Sequence, residues 1–155
     1  MATKNWSQAI AAILVLAEAH KNGFLDKNTA KTTLNAILRN YGEHIASRRL
    51  TNLVSRMASE AKPKEKKIRE HAVPLKVIID QILLFPLTSV SPTQENIMNM
   101  AIDLQDYLME VLVLEDEDRM LTRHKLKEAM PTGWKWGDSA LSRYREVGIE
   151  VRQWA

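Results

Sequence analysis

Residues 74–86 read Pro74-Leu75-Lys76-Val77-Ile78-Ile79-Asp80-Gln81-Ile82-Leu83-Leu84-Phe85-Pro86, and the rest of the predicted fold is arranged around them. Pro74 suits the start of a helix because its missing N–H is not needed there. Phe85 and Pro86 end the helix. Since apolar residues occur almost all round it, we expect this helix to be the central one.

Three helices are predicted before this segment. The first covers residues 7–22 and ends at Gly23, and the second starts at residues 26–28 and ends before Gly42. The third covers residues 43–61, where apolar residues recur at i, i+3, i+4 and i+7. Those apolar positions are Leu50, Leu53, Val54 and Met57.

Three further helices are predicted after it. Ser91, Pro92 and Gln94 form a capping box for the fifth helix, the acidic residues 115–118 begin the sixth, and Asp138 caps a short seventh that closes at Gly148. Residues 111–114 and 149–154 have the composition of short strands, which would pair as a two-stranded ribbon.

The predicted fold is therefore mainly α, a single-domain bundle of six to seven helices with a minimal β ribbon near the C-terminus. Residues 1–61 form a basic three-helix unit, residues 62–68 an exposed linker, and residues 69–155 a helical body with an aromatic tail. The chain has no cysteine, which excludes disulfides and thiolate metal sites. The apolar run at residues 9–17 is shorter than a membrane span, so we expect no membrane association and a cytoplasmic location.

Charge is divided unevenly along the 155 residues. Up to Lys76 there are 14 Lys and Arg against 6 Asp and Glu, and from Val77 onward 8 against 13. A dense run of cations in the first half predicts phosphate contacts with nucleic acid. The same run would also suit a solvated face, an acidic protein partner or the acidic half of the chain itself. The predicted nucleic-acid-binding residues are Arg48, Arg49, Arg56, Lys62, Lys64, Lys66, Lys67 and Arg69.

Aromatic residues interleave with basic ones in the tail. Trp134, Trp136 and Trp154 lie among Lys and Arg residues, a pattern that single-strand binders use for base stacking. The alternative, which we favour, is that these rings pack onto the helical body.

The N-terminal half also has the spacing of a helix-turn-helix. Ala19 lies four residues before Gly23, which would place Asn28, Thr29, Lys31 and Thr32 on a DNA-reading helix. A plain three-helix bundle has equally short connections.

Glu70-His71-Ala72-Val73-Pro74 resembles the opening motif of the HNH (ββα-metal) nucleases. The resemblance implies that Glu70 binds a divalent metal ion and that His71 activates water as a general base. The alternative is the start of a helix with an incidental histidine.

Two main functions follow. The first is a small helical protein that binds nucleic acid or assists its handling, without a cofactor. The second is a helical protein-interaction module, an adaptor or inhibitor of another protein, whose divided charge would also suit self-association. A nuclease that uses a divalent metal ion is a third hypothesis. Enzyme activity is not favoured, because His20, His44 and His124 share no metal-ligand spacing and no nucleotide-binding or hydrolase motif occurs.

Overall fold

The structure, a computed structural model, describes residues 5–46 and 52–154. This part of the chain forms eight helices and four strands. The helices are α1 (Trp6–Lys21), α2 (Lys27–Ile45), α3 (Arg56–Glu60), α4 (Leu75–Leu84), α5 (Leu87–Val90), α6 (Gln94–Tyr107), α7 (Glu115–Arg123) and α8 (Ser142–Glu146). The strands are β1 (Leu53–Ser55), β2 (Lys67–His71), β3 (Glu110–Leu114) and β4 (Val151–Gln153).

The four strands form one mixed sheet in the order β2-β3-β1-β4. β1 runs parallel to β3, with Leu53 opposite Val111, and β4 runs antiparallel to β1. β2 runs antiparallel to β3 over its whole length, from Lys67 opposite Leu114 to His71 opposite Glu110. β2 and β4 are therefore the edge strands.

The prediction of a mainly helical fold is confirmed, but the fold is not a bundle with a two-stranded ribbon. Residues 111–114 and 149–154 do contribute strands, yet β3 and β4 do not pair with each other. β1 lies between them, in a segment predicted to be helical. The two-stranded ribbon is thus wrong because two further strands, β1 and β2, complete the sheet.

The predicted third helix over residues 43–61 is also wrong. α2 continues to Ile45, and residues 53–55 form β1, which is buried at every position. A short apolar run has the same composition in a buried strand and in a buried helix, so periodicity alone does not separate them. Gly42 lies buried in the interior of α2, where a Cβ would meet the Leu108 side chain at an ordinary contact distance of 3.9 Å.

Helix α4 packs against α1 and α2. It buries Leu75, Ile78, Ile79 and Ile82, whereas Leu84 is 73% exposed. The helix therefore has one buried face and is not enclosed on all sides as predicted.

Three predicted boundaries shift. Thr93, not Ser91, caps α6, by accepting a hydrogen bond from the backbone N of Asn96 at 3.1 Å. Asp138 lies before α8 and accepts a hydrogen bond from the backbone N of Lys135 at 2.9 Å. The predicted exposed linker of residues 62–68 overlaps the start of β2, so the segment after it begins with a strand.

Alternation along the strands divides the apolar residues between two clusters. Leu53, Val111 and Val113 join the main core with the inner faces of α1, α2, α4 and α6. Val54 and Leu114 pack with Ala58 of α3 in a smaller cluster on the other face of the sheet. Within residues 5–46 and 52–154, no helix combines the length and the apolar character needed to cross a membrane.

Candidate functional site

Strand β2 places Glu70 and His71 on opposite faces of the sheet. Glu70 lies opposite Val111 and shares its face, which belongs to the main core. His71 lies opposite Glu110 and shares a face with Arg69, because side chains alternate along a strand. The two residues of the HNH-like motif therefore have different surroundings.

Arg143 of α8 contacts the Glu70 side directly. Its side chain is 2% exposed, and Nη2 donates to Oε2 of Glu70 at 3.2 Å. The guanidinium also donates to oxygen atoms of five other residues. The acceptors are the carbonyl oxygens of Ala72 (3.0 Å), Leu126 (2.8 Å), Lys127 (3.0 Å) and His71, and the hydroxyl of Tyr144 (3.2 Å).

Glu70 also belongs to a pair of carboxyl groups. Its Oε1 lies 3.2 Å from Nζ of Lys127, which also contacts Asp118. Burial, followed by the hydrogen bond to Asp118, raises the pKa of Glu70 to about 7, although Arg143 and Lys127 oppose this. The same hydrogen bond, with help from Lys127, lowers the pKa of Asp118. The two carboxyl groups thus titrate as a pair, in which Glu70 is protonated more readily than Asp118.

His71 is partly buried beside Arg39 of α2. Burial lowers the pKa of its imidazole, and Arg39 contributes in the same direction against the opposing charge of Glu110. Its Nδ1 is shielded from solvent and has no hydrogen-bond partner among the residues that the structure describes. His71 is accordingly neutral at pH 7.

Two cavities adjoin His71, and both are also lined by Arg39 and Arg69. The first, of about 460 Å³, lies between α2 and the adjacent ends of β2 and β3; the second, of about 360 Å³, lies along the free edge of β2. The first has an apolar wall, and the second is lined mainly by charged residues. The apolar wall consists of Leu38, Gly42, Ala46, Leu108 and Met109.

The cations predicted to contact phosphates differ in whether an acidic side chain of the protein pairs with them. Arg48 and Arg49 lie outside the described residues. Arg56 is held by Glu150 at 3.2 Å and Glu60 at 3.9 Å, at the end of β1. Two more of these cations have an acidic partner, Lys66 with Glu115 at 3.0 Å and Arg69 with Glu110 at 3.6 Å. For three others, no ion pair occurs within residues 5–46 and 52–154: Lys62, Lys64 and Lys67.

The tail aromatics pack mainly against the body of the protein. Trp136 lies between Phe85 and Tyr107, at ring distances of 5.3 and 4.5 Å. Trp134 packs against Tyr107 at 5.6 Å and donates from Nε1 to the carbonyl of residue 139 at 3.0 Å. Trp154 remains 46% exposed. Of the three predicted stacking residues, Trp154 has the most accessible ring.

Two cations lie against the carboxyl group of Glu70. Its carboxylate oxygens contact the cations Arg143 and Lys127. Within the described ranges, no three His, Asp or Glu side chains come close enough together to hold a metal ion. The roles that the HNH resemblance implies for Glu70 and His71 stay predictions.

Lys31, predicted to lie on a DNA-reading helix, pairs with Asp80 of α4 at 2.7 Å. Thr29 of the same set bonds to Asp26 at the start of α2. Intramolecular contacts thus occupy two of those four residues.

Sequence reasoning missed Arg39, Lys76, Asp118 and Lys127 as members of this site. No local motif marks them, because the fold brings them together from four separate segments. Arg143 had a signal in the sequence. It lies one residue before Tyr144 and three residues after Ala140, on the apolar side of the predicted seventh helix.

Comparison of the chain with family models, with curated proteins and with solved structures finds no match.

Proposed function

We propose that this protein binds nucleic acid by contacting its phosphates with a basic face along β2. We define the basic face as the cations of the loop before β2, of β2 itself and of the helix surfaces beside it. Its members are Arg39, Lys62, Lys64, Lys67, Arg69 and Lys76.

The observation that carries the proposal is the lack of internal neutralisation at this face. Five of its six cations make no ion pair with the described residues, and Arg69 is the exception. Arg56, Arg119 and Arg152 each have at least one acidic neighbour, and other cations without an ion pair in the described ranges, such as Lys27, Arg123 and Lys135, are not part of this face. A cluster of unneutralised cations attracts a polyanion and releases its counterions.

The geometry of β2 supports the same conclusion. Lys67 and Arg69 are two positions apart on one strand, so their side chains project from the same face at a spacing of roughly 6–7 Å. β2 is an edge strand, with β3 as its one partner in the sheet. The basic face therefore offers several phosphate contacts in a row.

A binding titration at two salt concentrations tests the proposal. Fluorescence anisotropy of a labelled single-stranded 20-mer and of its duplex should show binding that weakens steeply between 50 and 200 mM salt. In a triple variant of Lys62→Gln, Lys64→Gln and Lys67→Gln, the slope of log K against log salt should fall by about 2–3.

The matched control removes the same charge elsewhere, with Lys27→Gln, Arg123→Gln and Lys135→Gln. These three residues are exposed and have no ion pair in the described part of the chain. An equal loss of binding in the control would show that net charge, not the basic face, is responsible. Failure of both oligonucleotides to bind at micromolar protein would favour the protein-interaction module, for which Phe24, 85% exposed, is a starting point.

A further inference from the structure

We propose that the two cavities beside His71 together hold one unpaired nucleotide of the bound strand, with its base in the 460 Å³ cavity and its phosphate in the 360 Å³ cavity. This inference rests on the proposed nucleic-acid binding and names the form of nucleic acid that is bound.

The larger cavity has the chemistry of a base site. One wall is apolar, formed by α2 and the segment before β3, and would cover the face of a base. Two carboxylates line the same cavity, Glu43 and Glu110, of which Glu110 is paired with Arg69 at 3.6 Å. Carboxylate oxygens are acceptors for the amino groups at base edges. Its volume is within the range of small-molecule sites, about 300–1,000 Å³.

The smaller cavity has the chemistry of a phosphate site. Its lining includes five cationic side chains and only two carboxyl groups, those of Glu70 and Glu128. Arg143 is hydrogen-bonded to acceptors within the protein, and Lys127 forms ion pairs with Asp118 and Glu70. Arg39 and Lys76 have no such acidic partner among residues 5–46 and 52–154, which leaves their donors for an anion. Because Glu70 holds a proton below about pH 7, it adds little repulsion.

The shared wall links the two sites. Arg39, Arg69 and His71 line both cavities, so the apolar cavity and the cationic cavity are neighbours. A ligand that joins a flat, largely apolar ring to an anion through a short sugar matches this arrangement. A base that is paired within a duplex cannot enter such a cavity without leaving the stack.

The structure suggests a variant that blocks the base site without changing charge. Gly42 lines the larger cavity, and a Cβ there meets only Leu108 at an ordinary contact distance of 3.9 Å. Gly42→Leu should fill the cavity, whereas Gly42→Ala is the matched control. The leucine variant should bind the single-stranded 20-mer at least about tenfold more weakly, with duplex affinity unchanged.

A second measurement needs no substitution, which keeps the proposal testable if Gly42→Leu does not fold. Adenosine 5′-monophosphate should bind the wild-type protein in calorimetry, and adenosine or inorganic phosphate alone should bind more weakly. Arg39→Gln should weaken the binding of adenosine 5′-monophosphate. Lys27→Gln, twelve residues away on the same helix, should leave this binding unchanged.

The outcomes separate this inference from the proposed function. Salt-sensitive binding with equal affinity for single strand and duplex, and no binding of adenosine 5′-monophosphate, would overturn the nucleotide site and leave the basic face intact. Failure of both oligonucleotides to bind would overturn the proposed function itself. A preference for single strand that Gly42→Leu removes and Gly42→Ala retains is the expected result.

Discussion

The guanidinium of Arg143 in α8 lies 3.2 Å from the carboxylate of Glu70 in β2, although the two residues are 73 positions apart in the sequence. The same guanidinium donates to carbonyl oxygens at the end of β2 and after α7. One side chain thus connects three segments that face the candidate site. Removing this guanidinium leaves several buried oxygen atoms without their donor.

Replacing Arg143 with Met should destabilise the protein by about 3–5 kcal/mol, because Glu70 and several carbonyl oxygens lose their donor inside the protein. Urea denaturation measures the loss. Arg145→Met is the matched control, since Arg145 is exposed and lies two residues away on the same helix. Similar stability of the two variants would contradict the structural role of Arg143.

The raised pKa of Glu70 makes stability depend on pH. Between its ordinary value of 4.5 and about 7, the folded protein retains a proton that the unfolded chain has released. The contribution of this group to the free energy of unfolding therefore falls as pH rises, by up to about 1.4 kcal/mol per pH unit. Glu70→Gln removes this titration, so the stability of the variant relative to wild type should increase from pH 5 to pH 8.

Urea denaturation of wild type and Glu70→Gln at four pH values between 5 and 8 measures this difference. Glu128→Gln, which removes an exposed carboxyl group that lines the same cavity, is the matched control for the loss of a carboxyl group. A stability difference between Glu70→Gln and wild type that stays constant from pH 5 to pH 8 would contradict the raised pKa of Glu70.

Helix α4 should respond differently to a charge on its two sides. Ile82 is fully buried, so Ile82→Asp should unfold the domain, since a buried carboxylate without a partner costs several kcal/mol. Leu84→Asp, on the exposed side of the same helix, should change stability by no more than about 0.5 kcal/mol. Circular dichroism and thermal melts distinguish the two. Equal damage at both positions would mean that α4 is enclosed all round.

The hydroxyl of Tyr107 should hold the tryptophan-rich segment in place. It accepts a hydrogen bond from the backbone N of Gly137 at 2.6 Å and donates to the carbonyl of Asp138 at 3.3 Å. Tyr107→Phe should cost about 1 kcal/mol and open the segment more often. Trypsin cleavage after Lys135 should then be roughly fivefold faster. Removal of the exposed ring in Trp154→Ala should leave the cleavage rate unchanged.

The amino-acid sequence predicts those elements whose information is local. α1 ends at Lys21, two residues before Gly23 with its φ of +79°, and the acidic residues from Glu115 to Asp118 begin α7 as expected. The sheet could not be predicted in the same way. β1 is three residues long and its partners lie far along the chain, so nothing near Leu53 signals a parallel strand.

The residues of the candidate site also differ in whether the sequence around them signals their role. Glu70 and His71 stand out because they form a short motif, and the lysines before β2 stand out because they are dense. Arg39 has no such marker, and the acidic run that contains Asp118 signals only a helix start. Arg39 lines both cavities beside His71, and Asp118 is hydrogen-bonded to Glu70, which only the tertiary structure defines.

The order of the strands constrains how the protein can fold during synthesis. α1 and α2 contact each other through neighbouring segments and can pair as soon as both leave the ribosome. β1 is made early, but its two partners are β3 and β4, so it waits until residues 110–114 and then 151–153 have emerged. The edge strand β2, which carries part of the basic face, can pair with β3 once residues 110–114 have emerged, whereas the four-stranded sheet is complete only after residues 151–153.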